Sequence, residues 1–176
     1  MNIDTLVVGT LQSNCYILSV EDKCLIIDPG AEENKIIKHI EKENLTPVGI
    51  LITHNHNDHI GACNILKEMY DIKSYDYESL FEQKHFLNPF KFQVIYTPGH
   101  TSDSISFYFY EYNCIFTGDF LFKGTIGRVD FPNSSNVDMI SSLSKIKTMN
   151  EDLIIYPGHG DKTTLKQELK SNQYLN

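Results

Sequence analysis

Three histidines and an aspartate lie within the six residues of segment 54–59, which reads His-Asn-His-Asn-Asp-His. Imidazole nitrogens and carboxylate oxygens are ligands for zinc, and they also suit iron and manganese. Residues two apart in an extended segment point the same way, so His54 and His56 are placed to bind one ion. Asp58 and His59 are neighbours that point elsewhere, which suits a second ion. The alternative interpretation is a polar loop that happens to be rich in histidine.

Four apolar segments with the pattern of buried strands each lead into a side chain that can bind a metal. They are VGILIT before His54, FQVIYT before His100, CIFTG before Asp119 and LIIY before His159. Binding residues are concentrated in loops that a rigid scaffold positions, and strand ends are such places. Four endings of this kind favour a metal site over a chance accumulation of histidines.

Strands and helices are interspersed along the chain, and they must position these side chains. Apolar runs predict strands at 3–8, 14–20, 24–28, 48–53, 92–97, 104–110, 114–118 and 153–156. Periodic apolar positions predict helices at 31–44, 60–70, 135–149 and 163–172. Residues 71–90 are predicted as a short strand and a poor helix, and 119–133 as a loop. The pattern predicts one α/β domain over residues 1–176, with helices covering mixed sheets.

Composition and charge exclude several classes of protein. The chain has 176 residues, of which 41% are hydrophobic and 22% charged, as in ordinary globular proteins. Its net charge of -8 argues against a nucleic-acid partner and against an anionic membrane surface. The N-terminus lacks the features of a secretory signal, and no segment approaches the ~18 apolar residues of a membrane span. The expected location is therefore the cytoplasm.

The four cysteines, at positions 15, 24, 63 and 114, are scattered and form no C-x-x-C pair. Two disulfides are conceivable, but reduced thiols in a cytoplasmic protein are the expectation.

The order H-x-H-x-D-H, then a distal His, an Asp and a final His, resembles the signature of the metallo-β-lactamase superfamily. The flanking phrases IIDPGAE, TPGHTSDS, GTIGRVDFP and PGHGDKTT are most similar to its glyoxalase II-like branch. That branch contains the hydroxyacylglutathione hydrolases and their short single-domain relatives. The resemblance implies a four-layer αββα sandwich, two mixed sheets flanked by helices, with a metal centre at one edge.

Carried over residue by residue, the resemblance implies a centre of two divalent metal ions. The first ion would be held by His54, His56 and His100, the second by Asp58, His59 and His159, and Asp119 would bridge them. Zn²⁺ is the expected metal, with Fe or Mn as alternatives. The implied reaction is hydrolysis of a small acyl or thioester substrate by a hydroxide that the two ions activate. Asp58 and Asp119 are the carboxylates expected to act in catalysis.

Other activities remain open at this stage. An iron-dependent persulfide dioxygenase shares the phrase GR-x-DF and would use His54, His100 and Asp119 for one iron ion. A lactone hydrolase or another ester hydrolase of the same superfamily is a further alternative, as is a metal-binding module without catalysis. The resemblance does not extend to the C-terminal helical domain that binds glutathione in full-length glyoxalase II. A more open site is therefore expected, and the oligomeric state is not predicted.

Several residues near the motifs have two interpretations each. Asp28 either accepts a hydrogen bond from a ligand imidazole or only forms a turn. Arg128 and Asp130 either contact the substrate or form an internal pair that rigidifies their loop. Lys123, Arg128 and Lys162 are the candidate cations for attracting an anionic thioester.

Overall fold

The computed structural model describes all residues, 1–176, and its first sheet has five strands. In sheet order these are β1 (Asn2–Val8), β2 (Ser13–Val20), β3 (Lys23–Ile27), β4 (Thr46–Leu51) and β5 (Ser74–Tyr75). Strands β1 to β3 are antiparallel, whereas β3, β4 and β5 run parallel. Strands β2 and β3 are buried along nearly their whole length because both faces of the sheet are covered.

The second sheet has six strands, and a small hairpin lies beside it. The strands are β6 (Lys84–Leu87), β7 (Phe90–Tyr96), β8 (Ile105–Phe109), β9 (Cys114–Gly118), β12 (Ile154–Pro157) and β13 (Thr163–Thr164), and the hairpin is β10 (Leu121–Phe122) with β11 (Thr125–Ile126). Strand β8 is antiparallel to both β7 and β9, and β12 is parallel to β9. The C-terminal ends of β7, β9 and β12 therefore lie at one edge of this sheet.

Helices cover the outer face of each sheet. They are α1 (Glu33–Lys42), α2 (Asn57–Ile60), α3 (Cys63–Tyr70), α4 (Asn136–Ile146) and α5 (Leu165–Ser171), and one 3-10 turn spans Tyr110–Tyr112. Buried Ile36 and Ile40 of α1 pack on the first sheet against Ile26. Met139 of α4 and Leu165 of α5 pack with the second sheet in the same way.

A third apolar cluster fills the space between the two sheets. Leu18 and Leu25 of the first sheet contribute to it, and Phe92, Phe107 and Phe116 of the second sheet oppose them. Successive strand residues alternate between this inner cluster and the helix-facing clusters, as the pleat of a strand requires. The predicted four-layer αββα arrangement of two mixed sheets and flanking helices is confirmed.

Two predicted segments differ from the structure. Residues 71–90 contain no helix, because Asn88-Pro89 forms a turn that joins β6 to β7. The predicted loop 119–133 contains the β10–β11 hairpin, whose two-residue strands are too short to produce a periodic signal. The other elements begin and end within a few residues of their predicted bounds. The extent of the single domain, 1–176, stays a prediction.

None of the helices is both long and apolar enough to cross a membrane.

All four cysteines are buried and unpaired, as expected from their scattered positions. Burial raises the pKa of Cys24 and that of Cys114 to about 12, so both are protonated thiols at neutral pH.

Candidate metal centre

The seven side chains predicted as metal ligands meet at one edge of the sandwich. His100, Asp119 and His159 follow β7, β9 and β12, the three strands of the second sheet that run in the same direction. His54 lies three residues after the end of β4 in the first sheet. The facing sheets thus bring together side chains that are distant in sequence.

His54, His56 and His100 form the first ligand group, in which three imidazole nitrogens converge. His56 Nδ1 lies 3.1 Å from His54 Nε2 and 3.0 Å from His100 Nε2. Tetrahedral bonds of ~2.0–2.1 Å to zinc would separate such nitrogens by about 3.3 Å. The group therefore has the spacing of three imidazoles that bind one ion.

Asp58, His59 and His159 form the second ligand group. Helix α2 is a single turn that presents Asp58 and His59, and Asp58 Oδ2 lies 3.5 Å from His59 Nε2. The same oxygen is 3.3 Å from His159 Nε2. The turn of α2 packs closely on Gly30, where a Cβ would lie only 1.6 Å from the Asp58 carbonyl oxygen. A glycine is thus required at position 30, in the segment Asp28-Pro29-Gly30.

Asp119 lies between the two ligand groups. Its Oδ1 is 3.4 Å from His59 Nε2, and its Oδ2 is 3.5 Å from His159 Nε2 and 3.6 Å from His100 Nε2. The carboxylate can approach because Gly158 has no side chain, since a Cβ there would lie 2.2 Å from Asp119 Oδ1. Asp119 is therefore the residue placed to join both groups.

Asp28 supports both groups from behind. Its Oδ2 is 3.0 Å from His59 Nδ1 and accepts a hydrogen bond of 2.6 Å from Thr53 Oγ1, while its Oδ1 accepts one from the Thr53 backbone N–H at 2.8 Å. Thr53 Oγ1 in turn lies 3.1 Å from His54 Nδ1. The interpretation of Asp28 as an acceptor for an imidazole agrees with this geometry, and the Asp28 backbone lies in the left-handed region, with a φ of 50°.

Three further contacts orient ligand side chains and were missed by the sequence analysis. The carbonyl oxygens of Arg128 and Leu11 accept hydrogen bonds from His100 Nδ1 at 2.9 Å and His159 Nδ1 at 3.0 Å. Ser13 Oγ donates to Asp58 Oδ2 at 2.9 Å. Partners of this kind fix the ring orientation and leave the other nitrogen free for a metal. A backbone carbonyl has no signal in the sequence, and a lone serine has almost none.

The protonation states of the ligand groups follow from burial and charge. Burial and the neighbouring His59 lower the pKa of His54 well below its usual value, so its imidazole is neutral. Burial also lowers the pKa of His59, but Asp119 and Asp28 outweigh it and raise that pKa to about 10. Burial raises the pKa of Asp119, but His159 and His59 outweigh it and hold that pKa well below its usual range. The carboxylates therefore attract positive charge to this point.

Two buried polar atoms at the centre have no hydrogen-bond partner. They are His59 Nε2 and Asp119 Oδ1, which lie 3.4 Å apart. An unsatisfied buried polar atom costs ~1–3 kcal/mol, and a cation between the two atoms would remove that cost. Five imidazoles and two carboxylates are the donor types that divalent zinc, iron and manganese accept. The residues present therefore fit divalent metal ions.

A family model described as the metallo-beta-lactamase superfamily matches residues 8–80 and 87–159. This chain belongs to the metallo-beta-lactamase superfamily. It is 36% identical to hydroxyacylglutathione hydrolase GloC of Haemophilus influenzae over 209 aligned positions, which cover 100% of this chain and 99% of GloC. These findings make the protein a metallo-hydrolase of this superfamily.

Solved structures of the superfamily superpose closely on this chain. The crystal structure of the BLEG-1 B3 metallo-beta-lactamase has a TM-score of 0.96 at 29% identity, covering 99% of this chain and 100% of that one. The structure of TTHA1623 in a di-iron-bound form has a TM-score of 0.91 at 30% identity, covering 98% and 100%. Both support the fold, and TTHA1623 is a structural neighbour that binds two iron ions.

A cleft of about 370 Å³ opens over the metal centre of this superfamily member. Its floor includes Asp58 and Asp119, and its apolar walls are Leu11, Phe122, Ile126 and Phe131. A larger cleft of about 410 Å³ lies elsewhere, along the loop at 77–82. That cleft contains no group of metal-binding side chains, so the chemistry is assigned to the smaller one.

Of the three predicted cations, only Arg128 lines the cleft; Lys123 lies outside it, and Lys162 lies over the Tyr156 ring. Arg128 lines the cleft but makes two hydrogen bonds to Asp130, at 2.8 and 2.9 Å, and its guanidinium lies 4.5 Å from the Phe131 ring. Lys123 pairs with Asp161 at 2.9 Å. The internal-pair interpretation of Arg128 and Asp130 therefore agrees with the structure. Arg128 and Lys123 thus each form a salt bridge with a carboxylate of this chain.

Proposed function

We propose that this protein is a dinuclear metal-dependent hydrolase that cleaves thioesters, as a hydroxyacylglutathione hydrolase does. The main support for this proposal is that two ligand groups lie on either side of one carboxylate, that of Asp119. A single-ion enzyme would need only part of this set. Similarity to GloC supports a thioester substrate. Zn²⁺ is the proposed metal, and the di-iron form of TTHA1623 makes Fe the first alternative, with Mn the next.

When bound, the divalent ions supply a nucleophilic hydroxide at neutral pH and polarise the carbonyl of the substrate. Asp58 and Asp119 line the cleft where an attacking water must approach, so their oxygens can accept hydrogen bonds from that water and orient it. Ser13 fixes the Asp58 carboxylate by its hydrogen bond of 2.9 Å. The thiolate leaves without a general acid, because an ordinary thiol has a pKa of only ~8.5.

The walls of the cleft support a small, largely apolar acyl group. Leu11 and Phe122 flank the metal centre on one side, and Phe131 packs edge-on against His56 and His100 on the other. Pairing of Arg128 with Asp130 leaves the cleft without a free guanidinium for a substrate carboxylate. The four reduced thiols support a reducing compartment such as the cytoplasm, where thioesters of small thiols occur.

Metal analysis combined with a substrate panel tests this proposal. The protein would be stripped with a chelator, reconstituted separately with Zn²⁺, Fe²⁺ and Mn²⁺, and assayed for ion content. The panel would contain lactoylglutathione, a simple acyl thioester, a lactone and glutathione persulfide with an oxygen electrode. We expect about two ions per chain and thioester hydrolysis.

Three other outcomes would contradict the proposal. One ion per chain without thioesterase activity in any metal form would exclude a dinuclear thioesterase. Oxygen uptake with the persulfide by the iron form would indicate a dioxygenase. Hydrolysis of the lactone alone would indicate a different ester specificity.

A further inference from the structure

Outside the metal centre, one carboxylate is completely buried and has no cationic partner. Glu168 on α5 is 0% exposed and forms no salt bridge. Its Oε2 accepts hydrogen bonds from the Gly124 backbone N–H at 2.7 Å and from Asn172 Nδ2 at 2.9 Å, and its Oε1 accepts one from Thr163 Oγ1 at 2.6 Å. Burying a carboxylate is costly unless its oxygens are well satisfied, so a helix residue in this state needs a specific explanation.

Two of these contacts hold the tip of the β10–β11 hairpin. Gly124 lies in its two-residue turn with a φ of 79°, and its N–H is bound directly by Glu168. Asn172, which is also 0% exposed, donates to the Thr125 carbonyl oxygen at 3.2 Å as well as to Glu168. Strands of two residues are not stable on their own, so the hairpin depends on such external contacts.

The opposite side of the same hairpin forms one wall of the metal cleft. Phe122, Thr125 and Ile126 all line the cleft, and the Phe122 ring centroid lies 6.1 Å from that of His159. The chain then continues to Arg128, whose carbonyl oxygen accepts the hydrogen bond from His100 Nδ1. Glu168 thus lies behind a wall that faces both ligand groups, without contacting either group.

We propose that Glu168 is a positioning residue, which sets the substrate wall of the metal cleft by fixing the β10–β11 hairpin from behind. The effect on substrate rests on the proposed thioester hydrolysis, whereas the effect on the hairpin does not. Without the Glu168 carboxylate, the Gly124 N–H and the Asn172 amide would lose their acceptor, and the hairpin would be able to move relative to the metal ligands. The acyl group would then meet a displaced wall, while the metal ligands keep their strand-end positions.

The test compares two variants at one position. Glu168→Met keeps the length of the side chain but removes both acceptors. Glu168→Gln can satisfy the same three groups, because its carbonyl oxygen can accept from Gly124 and Asn172 while its amide donates to the Thr163 hydroxyl. We expect Glu168→Met to raise KM for the thioester about tenfold with little change in kcat. The KM of Glu168→Gln should stay close to that of the unmodified protein.

Hydrogen exchange of segment 121–126, measured by mass spectrometry without substrate, gives a second readout. We expect faster exchange of this segment in Glu168→Met and near-normal exchange in Glu168→Gln, with β9 unchanged in both. Ile40→Ala serves as the control, because it removes a buried side chain from α1 and lowers stability without touching the hairpin. Its KM and its exchange at 121–126 should stay at the level of the unmodified protein.

Three results would overturn the inference. They are an unchanged exchange rate at 121–126 in Glu168→Met, an equal KM effect in Ile40→Ala, and a Glu168→Gln variant as impaired as Glu168→Met. If the unmodified protein hydrolysed no thioester, the proposed function would fail, and the exchange comparison would still decide whether Glu168 holds the hairpin. If Glu168→Met did not fold, Asn172→Ala would replace it, because it removes the bond to Thr125 and one of the bonds to Glu168.

Discussion

The two ligand groups of the metal centre differ in charge. The group of His54, His56 and His100 consists of imidazoles alone, and burial lowers the pKa of the first two, so they are neutral. The group of Asp58, His59 and His159 contains a carboxylate, and the pKa of His59 is raised to about 10 by Asp119 and Asp28 against the effect of burial. We call these the imidazole group and the acid group.

The two groups also differ in how the chain holds them. In the acid group, His59 Nδ1 lies against the buried carboxylate of Asp28, and Asp58 is held by Ser13. In the imidazole group, the supports are neutral: a threonine hydroxyl for His54 and a backbone carbonyl oxygen for His100. The acid group therefore concentrates negative charge that only a cation can balance. We infer that changes in the buried carboxylates affect the acid group more than the imidazole group.

The largest effect is expected from Asp119→Asn, because the Asp119 carboxylate lies within 3.6 Å of ligand nitrogens in both groups. The amide loses the negative charge and places a donor beside a neighbouring imidazole nitrogen. We expect kcat/KM to fall by more than the ~10–100-fold typical of residues that support metal ligands. Steady-state kinetics and ion content on the same sample measure this. A variant that keeps two ions and loses less than tenfold would show that the groups do not share Asp119.

A matched pair, His56→Ala and His159→Ala, separates the two groups. Each variant removes one imidazole from one group and leaves the other group intact. We expect the ion of the altered group to bind more weakly and to be lost first on dialysis, because that group keeps only two ligands of its own and the shared Asp119. Elemental analysis after dialysis measures this. Loss of both ions from His159→Ala would mean that the imidazole group cannot bind an ion alone.

A smaller effect is expected from Asp28→Asn, which tests the buried support of the acid group. All three partners of Asp28 are donors, so an amide must set its own N–H groups against one of them. We expect the ion of the acid group to bind ~10–100-fold more weakly, and the affinity of the imidazole group for its ion to change little. Competition with a chromogenic chelator resolves the two affinities. Equal weakening of both ions would show that Asp28 supports the groups alike through Thr53.

The seven candidate ligands could be picked out from local signals, whereas their assignment to one metal centre rested on the family resemblance. His54, His100, Asp119 and His159 come after apolar runs whose strands the structure confirms, and parallel strands of one sheet end at the same edge. The supports of these ligands could not be found in this way. Ser13 is 45 residues from its partner Asp58, and the carbonyl of Leu11 is 148 residues from His159. Such contacts depend on how the two sheets pack, which no local pattern encodes.

Glu168 is the clearest case of misleading local information. It lies in a predicted helix, 163–172, where a glutamate between lysines indicates a solvent-facing position. Its burial follows from the position of the β10–β11 hairpin, whose two-residue strands the sequence analysis interpreted as a loop. The α/β class was therefore predictable from periodicity and the four-layer arrangement from the family resemblance, whereas the wall of the cleft was predictable from neither.

The smallest effect is expected from Ser13→Ala, which removes one hydrogen bond from the acid group. Ser106→Ala is its matched control, because the Ser106 hydroxyl is equally buried and makes a hydrogen bond of the same length, 2.9 Å, with Thr97. One such bond contributes about 1 kcal/mol, which corresponds to roughly fivefold in an equilibrium constant. We expect Ser13→Ala to weaken the acid-group ion by that factor, and Ser106→Ala to lower only the unfolding midpoint. Thermal unfolding and chelator competition on both variants distinguish the effects. Equal loss of ion affinity in both would mean that the acid group responds to general stability rather than to the contact of Ser13 with Asp58.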